Sequence, residues 1–181
     1  MFDEVRDDAR ELVPSLVVAA VACILAGLGG FLWWKIVPDL GSDPGNLFLN
    51  TVILGPVFLF ASIYIGGVVA WIVMAQAYKV ESDLASVLRT MGYAAAPLAL
   101  SLLMFIPLIW PIFALVPLAL LFVMMIYALQ STTNADSKQV VMSAVVGFAA
   151  IVLVAGVIST ITDLQDAPMG AGQFGQLYDF N

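Results

Sequence analysis

A chain of 181 residues that is 62% hydrophobic and only 10% charged, with a net charge of −7, is more apolar than a water-soluble core of this size requires. It contains no histidine and a single cysteine, Cys23, which excludes paired-cysteine or histidine ligation of haem and clusters, a Ser-His-Asp site and any disulfide within the chain. The informative quantity is therefore the length of each charge-free stretch, because a helix needs about 20 predominantly apolar residues to cross about 30 Å of hydrocarbon.

Charge-free stretches run over residues 12–34, 44–78, 90–135 and 139–162. The third is too long for one crossing and is broken where Pro107 and Pro111 bracket Trp110, so the pattern predicts five spans. Their expected limits are 13–36, 47–77, 84–106, 110–129 and 139–161. The fold class is all-α, an integral membrane bundle of five transmembrane helices. Three parts follow: a segment over 1–12, a membrane domain over 13–162 and a Gly/aromatic tail over 163–181.

The opening MFDEVRDDARE is acidic and leads into an apolar run long enough to span, unlike a cleavable leader, so Met1 is expected to stay. Phe2, Val5, Ala9, Leu12 and Val13 fall near one helical face. The segment reads either as a helix on the membrane surface or as an extension of the first span, with Pro14 in an early turn. Cys23 reads as a small buried apolar residue.

Small residues recur at four-residue spacing: Ala22, Ala26 and Gly30 in the first span, Ser62, Gly66 and Ala70 in the second, Ser143 and Gly147 in the fifth. Such stripes let helix backbones approach closely in lipid, which marks these faces as helix contacts. Residues 38–46 compose a turn-forming loop. The second span exceeds one straight crossing, so a tilt, or a start in the interface with a kink near Gly55-Pro56, is expected. Trp33, Trp34, Trp71, Tyr78 and Trp110 sit near span ends as headgroup-level anchors. The turn at 107–111 makes the third and fourth spans antiparallel neighbours. Asp136 and Gln139 have the spacing of a capping box before the fifth span.

With a cytoplasmic N-terminus, that side collects Arg6, Arg10, Lys79, Arg89 and Lys138 against Lys35 alone outside, which obeys the positive-inside rule and puts the C-terminus outside. Acids outnumber bases on both faces. That habit resembles halophilic archaea, and it argues against nucleic acid as a partner. The spans are read as free of Asp, Glu, Arg and His, with Lys35 at an end, which weighs against proton relays and ion-coupled transport. No catalytic residue, cofactor or metal is expected.

The charged connector from Lys79 runs into Leu88-Arg-Thr-Met-Gly-Tyr-Ala-Ala-Ala-Pro97. With five spans and a short turn before the fourth, this resembles the Yip-domain family, whose eukaryotic members are associated with Rab GTPases and vesicle traffic. The likeness extends from about the second span to the fifth, and its sharp element is Gly92-Tyr93 with Pro97. The long N-terminal region of the eukaryotic proteins and their Asp-Leu-Tyr-Gly-Pro-like element in the first span have no counterpart here; Leu54-Gly-Pro56 falls in the second span. Their GTPase partners are accordingly not carried over.

In physical terms Gly92 permits close backbone approach, Tyr93 supplies a hydroxyl near the interface and Pro97 frees a carbonyl. The residues expected to matter are Gly92, Tyr93, Pro97, Ser62, Gly66 and Ala70, in a structural or interaction role. The function expected is a non-catalytic scaffold, adaptor or accessory subunit of the plasma membrane, whose partners are the lipid bilayer and a membrane protein or a second copy. The alternative is a transporter or channel for a neutral or lipidic solute, marked by a polar mid-membrane path containing Tyr64, Ser101 or Tyr127.

Overall fold

A computed structural model describes Phe2, Val5 and residues 8–36 and 48–161. The loop at 38–46 and the tail at 163–181 lie outside the described residues, and so do Arg6 and the acids Asp3, Glu4, Asp7, Asp39, Asp43, Asp163, Asp166 and Asp179. All regular structure in the described residues is helical, and five helices are long and apolar enough to cross a membrane. Only helices satisfy every backbone polar group within one segment, so this is the form that uncharged stretches of such length must take in lipid.

Asp8 is extended (φ −91°, ψ 108°), and its side chain accepts a hydrogen bond from the Arg10 N–H at 2.9 Å. This starts a 3-10 turn, Ala9–Glu11, that runs directly into α1, Leu12–Ile36. From residue 8 onward the N-terminal segment therefore extends the first span. Pro14 falls in the first turn of α1, where its missing N–H has no partner to lose.

The second span begins as a π segment, Leu49–Leu54, in which the Gly55 N–H reaches back to the Asn50 carbonyl, and continues as α2, Gly55–Ala77. The sequence led to a tilt, or to an interfacial start with a kink near Gly55-Pro56. The structure widens the helix just ahead of Pro56, whose ring cannot tolerate the carbonyl of a regular preceding turn. α2 ends at a left-handed Lys79 (φ 57°), with the Val80 N–H bonded to the Met74 carbonyl at 3.1 Å.

The third span has two parts, α3 over Leu84–Ala94 and a 3-10 segment over Ala96–Phe105. Asp83 caps α3 by accepting from the Ala85 and Ser86 N–H groups at 3.3 and 3.1 Å. α4, Trp110–Thr132, and α5, Ser137–Ile161, complete the bundle. At the start of α5 the Gln139 Oε1 accepts from the Asp136 N–H at 3.3 Å, which is the return half of the expected capping box.

The third span is the centre of the bundle. It packs against α1, α2 and α4, whereas α5 lies mainly along α2. Its most apolar stretch is 56% buried, against 33–39% for the other four spans. Four helices are apolar on nearly every side, as lipid-facing helices are. α3 is not: it turns Ser86, Arg89 and Thr90 inward, all buried, and leaves Leu84, Ala85 and Leu88 toward the outside.

One expectation is corrected here. Arg89 lies inside a span helix and is only 8% exposed, so the third span is not free of ionisable side chains. Gly92 of α3 stands beside Ser15 of α1, so α3 begins about 12 Å before that level and Arg89, three residues before Gly92, lies about 4 to 5 Å before it, at the height where α1 starts. Its burial is compensated locally: the guanidinium bonds the Ser86 hydroxyl and stands 3.8 Å from Asp83 Oδ2.

Candidate functional site

Alternating spans bring the N-terminal segment, the α2–α3 connector and the α4–α5 connector to one end of the bundle. The residues singled out in the sequence form two separate contacts, of which one lies near this end. A Cβ on Gly92 would stand 2.5 Å from the Ser15 carbonyl oxygen, backbone against backbone. Next to it the Tyr93 hydroxyl donates to Glu11 Oε2 at 2.6 Å, across 82 residues of sequence. Gly92 and Tyr93 together seat the third span against the foot of the first. Pro97 opens the 3-10 segment, half-buried, where the chain leaves α geometry at Ala95.

The second contact joins α2 to α5. Ser62, Gly66 and Ala70 are all buried. A Cβ on Gly66 would lie 2.8 Å from the Gly147 carbonyl oxygen and would overlap the Ile151 side chain. A Cβ on Gly147 would come within 2.5 Å of the Gly66 oxygen and 2.8 Å of the Ala70 methyl. The Ser62 hydroxyl donates to the Phe58 carbonyl of its own helix at 2.7 Å. About 100° around the helix, Gly67 of α2 accepts the Met91 side chain of α3.

Other close approaches carried no signal of this kind in the sequence. A Cβ on Gly27 of α1 would overlap the Thr51 carbonyl of the π segment, and one on Gly29 the Ser101 carbonyl of the 3-10 segment. Both irregular segments therefore pack onto the same glycine-rich stretch of α1. Beyond it, Trp33 meets Trp34 and Trp110 with ring centroids 5.9 and 5.6 Å apart, and Lys35 Nζ lies 5.5 Å from the Phe31 ring. These rings meet edge-to-face or tilted. The Trp71 indole N–H donates to the Ser82 carbonyl at 3.0 Å and ties down the connector.

Between the connectors is an open depression of about 650 Å³ lined by Glu81, Ser82, Asp83, Ser86, Thr132, Thr133 and Asn134. Arg89 lies behind Ser86, giving a 2.9 Å hydrogen bond to its hydroxyl and standing 3.8 Å from Asp83 Oδ2. The Ser86 hydroxyl in turn donates to Asp83 Oδ2 at 3.1 Å. Partial desolvation pushes the Asp83 carboxyl up, but the hydrogen bonds from Ala85 and Ser86 and the charge of Arg89 together hold it below the ordinary 3.8. Sequence reading missed this cluster because its halves are 46 or more residues apart. The signal available was two Ser/Thr/acid-rich connectors, ESD and STTN, after even-numbered spans.

None of Tyr64, Ser101 and Tyr127 contributes to that depression. Ser101 is buried against α1, Tyr64 is half-buried and stacked on Phe60 at 4.8 Å, and Tyr127 is 61% exposed on the outside of the bundle. Among the described residues no three His, Cys, Asp or Glu side chains are grouped to hold a metal ion.

A bundle of five lipid-length helices defines a multi-pass integral membrane protein. The Yip1 domain family model matches residues 2–159, and the chain belongs to that family. The match takes in the first span and the segment before it, which the motif residues alone did not reach. Gly92 and Tyr93 have their partners there, at Ser15 and Glu11. The match is to the family as a whole, so the archaeal, halophilic reading rests on composition alone. No curated protein and no solved structure matches the chain.

Proposed function

We propose that this Yip1-domain protein is a non-catalytic scaffold, adaptor or accessory subunit that acts through helix faces and through the connector end of its bundle. The observation that carries the reading is how the polar groups divide. Within the spans, Ser62, Thr90, Ser131 and Thr132 donate to carbonyls of their own helices, and the small residues serve backbone contact. Among the described residues, most polar surface exposed to a second molecule gathers instead at one end, around Glu81, Asp83, Asn134, Asp136 and Lys138.

The connector end is assigned to the cytoplasm and the C-terminus to the outside of the plasma membrane, on the distribution of Arg and Lys. Affinity purification from native membranes in a mild detergent tests the role: a stable membrane-protein partner or a second copy is expected, and a lone monomer overturns it. An impermeant maleimide tests the side. Cys23 is fully buried, so a Glu81→Cys chain is expected to react in inside-out vesicles alone, and reaction in intact cells overturns the orientation.

A further inference from the structure

We propose that the depression between the two connectors binds a primary ammonium group, as carried by an ethanolamine-type lipid headgroup or by a soluble amine. Its lining accepts hydrogen bonds more than it offers them. The Thr132 and Thr133 hydroxyls both donate to the Leu129 carbonyl at 3.0 Å, so only their lone pairs remain for a ligand. Thr132 is the last residue of α4, and the negative end of that helix faces the same space. Glu81 and Asp83 stand at the rim, exposed, with two carboxylates between them.

An anion finds the opposite. The N–H groups at the start of α3 are already capped by Asp83, and the Arg89 guanidinium is buried behind Ser86 and bonded to it. Apart from the exposed Asn134 amide and the Ser82 hydroxyl, the side-chain donors of the lining are engaged within the protein while the exposed charges at its rim are carboxylates, an arrangement that recognises N–H groups on a cation. A second feature points to an occupant. The Ser82 Oγ, in the lining, is withdrawn from solvent and has no hydrogen-bond partner, although its backbone is held by Trp71. A ligand N–H would supply what that oxygen lacks.

The size fits a headgroup better than a bare ion, since about 650 Å³ lies within the range of small-molecule sites. The location fits as well. The depression opens where the second, third and fourth spans end, the part of a spanning helix that comes nearest to headgroups.

The test uses the full chain in detergent, titrated with short-chain phosphatidylethanolamine, the matched phosphatidylcholine, spermidine and inorganic phosphate, with bound adducts counted by native mass spectrometry. Phosphatidylethanolamine is expected to bind at least about fivefold more tightly than phosphatidylcholine, whose quaternary nitrogen has no N–H to donate. Glu81→Gln, which alters an exposed side chain only, and Asp83→Asn, which keeps a capping oxygen, are each expected to reduce that preference. Retention of spermidine with displacement of the lipid would assign the ammonium to a soluble source; retention of the lipid alone would assign it to the bilayer. Equal binding of the two lipids without spermidine binding, an undiminished preference in both variants, or selective binding of phosphate overturns the proposal.

Discussion

The two ends of this bundle are held together by different chemistry. At the connector end the contacts are polar and directional: Asp83 caps α3, Arg89 reaches Ser86 and Asp83, Tyr93 reaches Glu11, and Gln130 Nε2 donates to the Ala135 carbonyl at 3.3 Å. At the opposite end Trp33, Trp34 and Trp110 stack, two irregular helical segments sit on the glycines of α1, and the indole N–H groups of Trp33 and Trp34 are buried without partners. Shape fixes that end. A membrane helix contact gains little from apolar burial alone, so specificity comes either from hydrogen bonds or from how near two backbones can come. Among the described residues the hydrogen bonds gather at the connector end, whereas close backbone approach serves the opposite end, the middle and, at Gly92 against Ser15, the connector end as well.

The sharpest way to break the comparison is to fill the glycine contacts. Gly92→Val and Gly29→Val each drive a side chain into a neighbouring backbone that cannot rotate away, and each is expected to destabilise the bundle by about 3 kcal/mol. Unfolding midpoints in detergent would measure it. A loss at Gly29 and none at Gly92 would show that Ser15 and α3 are not packed as closely as described.

A smaller effect is expected from Tyr93→Phe. It removes one hydroxyl and its bond to Glu11 while keeping the ring, at a cost of about 1 kcal/mol. The same loss should appear in Glu11→Gln/Tyr93→Phe with little added, as in any pair whose effects are not independent. Full additivity would dissolve the link between the N-terminal segment and the third span.

The smallest effect is the pH dependence at Asp83. Its carboxyl is held below the ordinary 3.8 in the folded chain, so the stabilisation it gives is complete above that value and is lost as pH falls through the lower folded value. Wild type is expected to exceed Asp83→Asn in thermal midpoint at neutral pH, and the gap to close only below 3.8. A gap that closes well above it would mean that Arg89 and the α3 N–H groups do not act on this carboxylate.

The five spans were legible because charge punctuates the chain: the described span helices begin or end within about three residues of where Lys35, Lys79, Pro107, Trp110 and Lys138 place them. Stripes of small residues are read the same way, since Ser62, Gly66, Ala70 and Gly147 advertise a close contact whatever helix receives it. What could not be read is which helical form a segment takes. Leu98 to Phe105 has ordinary α-helix formers, and its 3-10 geometry is visible only once Ser101 and Leu102 are set against Gly29. Arg89 was equally opaque. Its neighbours in sequence mark it as a flanking charge, and its burial shows only once Ser86 and Asp83 are placed around its guanidinium. The connector site was hidden for the same reason, being assembled from two short loops that no local pattern joins.

The early start of α3 carries a further consequence for the third span. Of its 22 residues, about eight come before α3 draws level with Ser15, and the remainder as a regular helix would rise about 21 Å. A 3-10 stretch advances about 2.0 Å per residue instead of 1.5, and ten residues of it add about 5 Å. The slender segment works as a spacer, letting one helix spend its first turns at the connector end and still arrive beside Trp110 at its head.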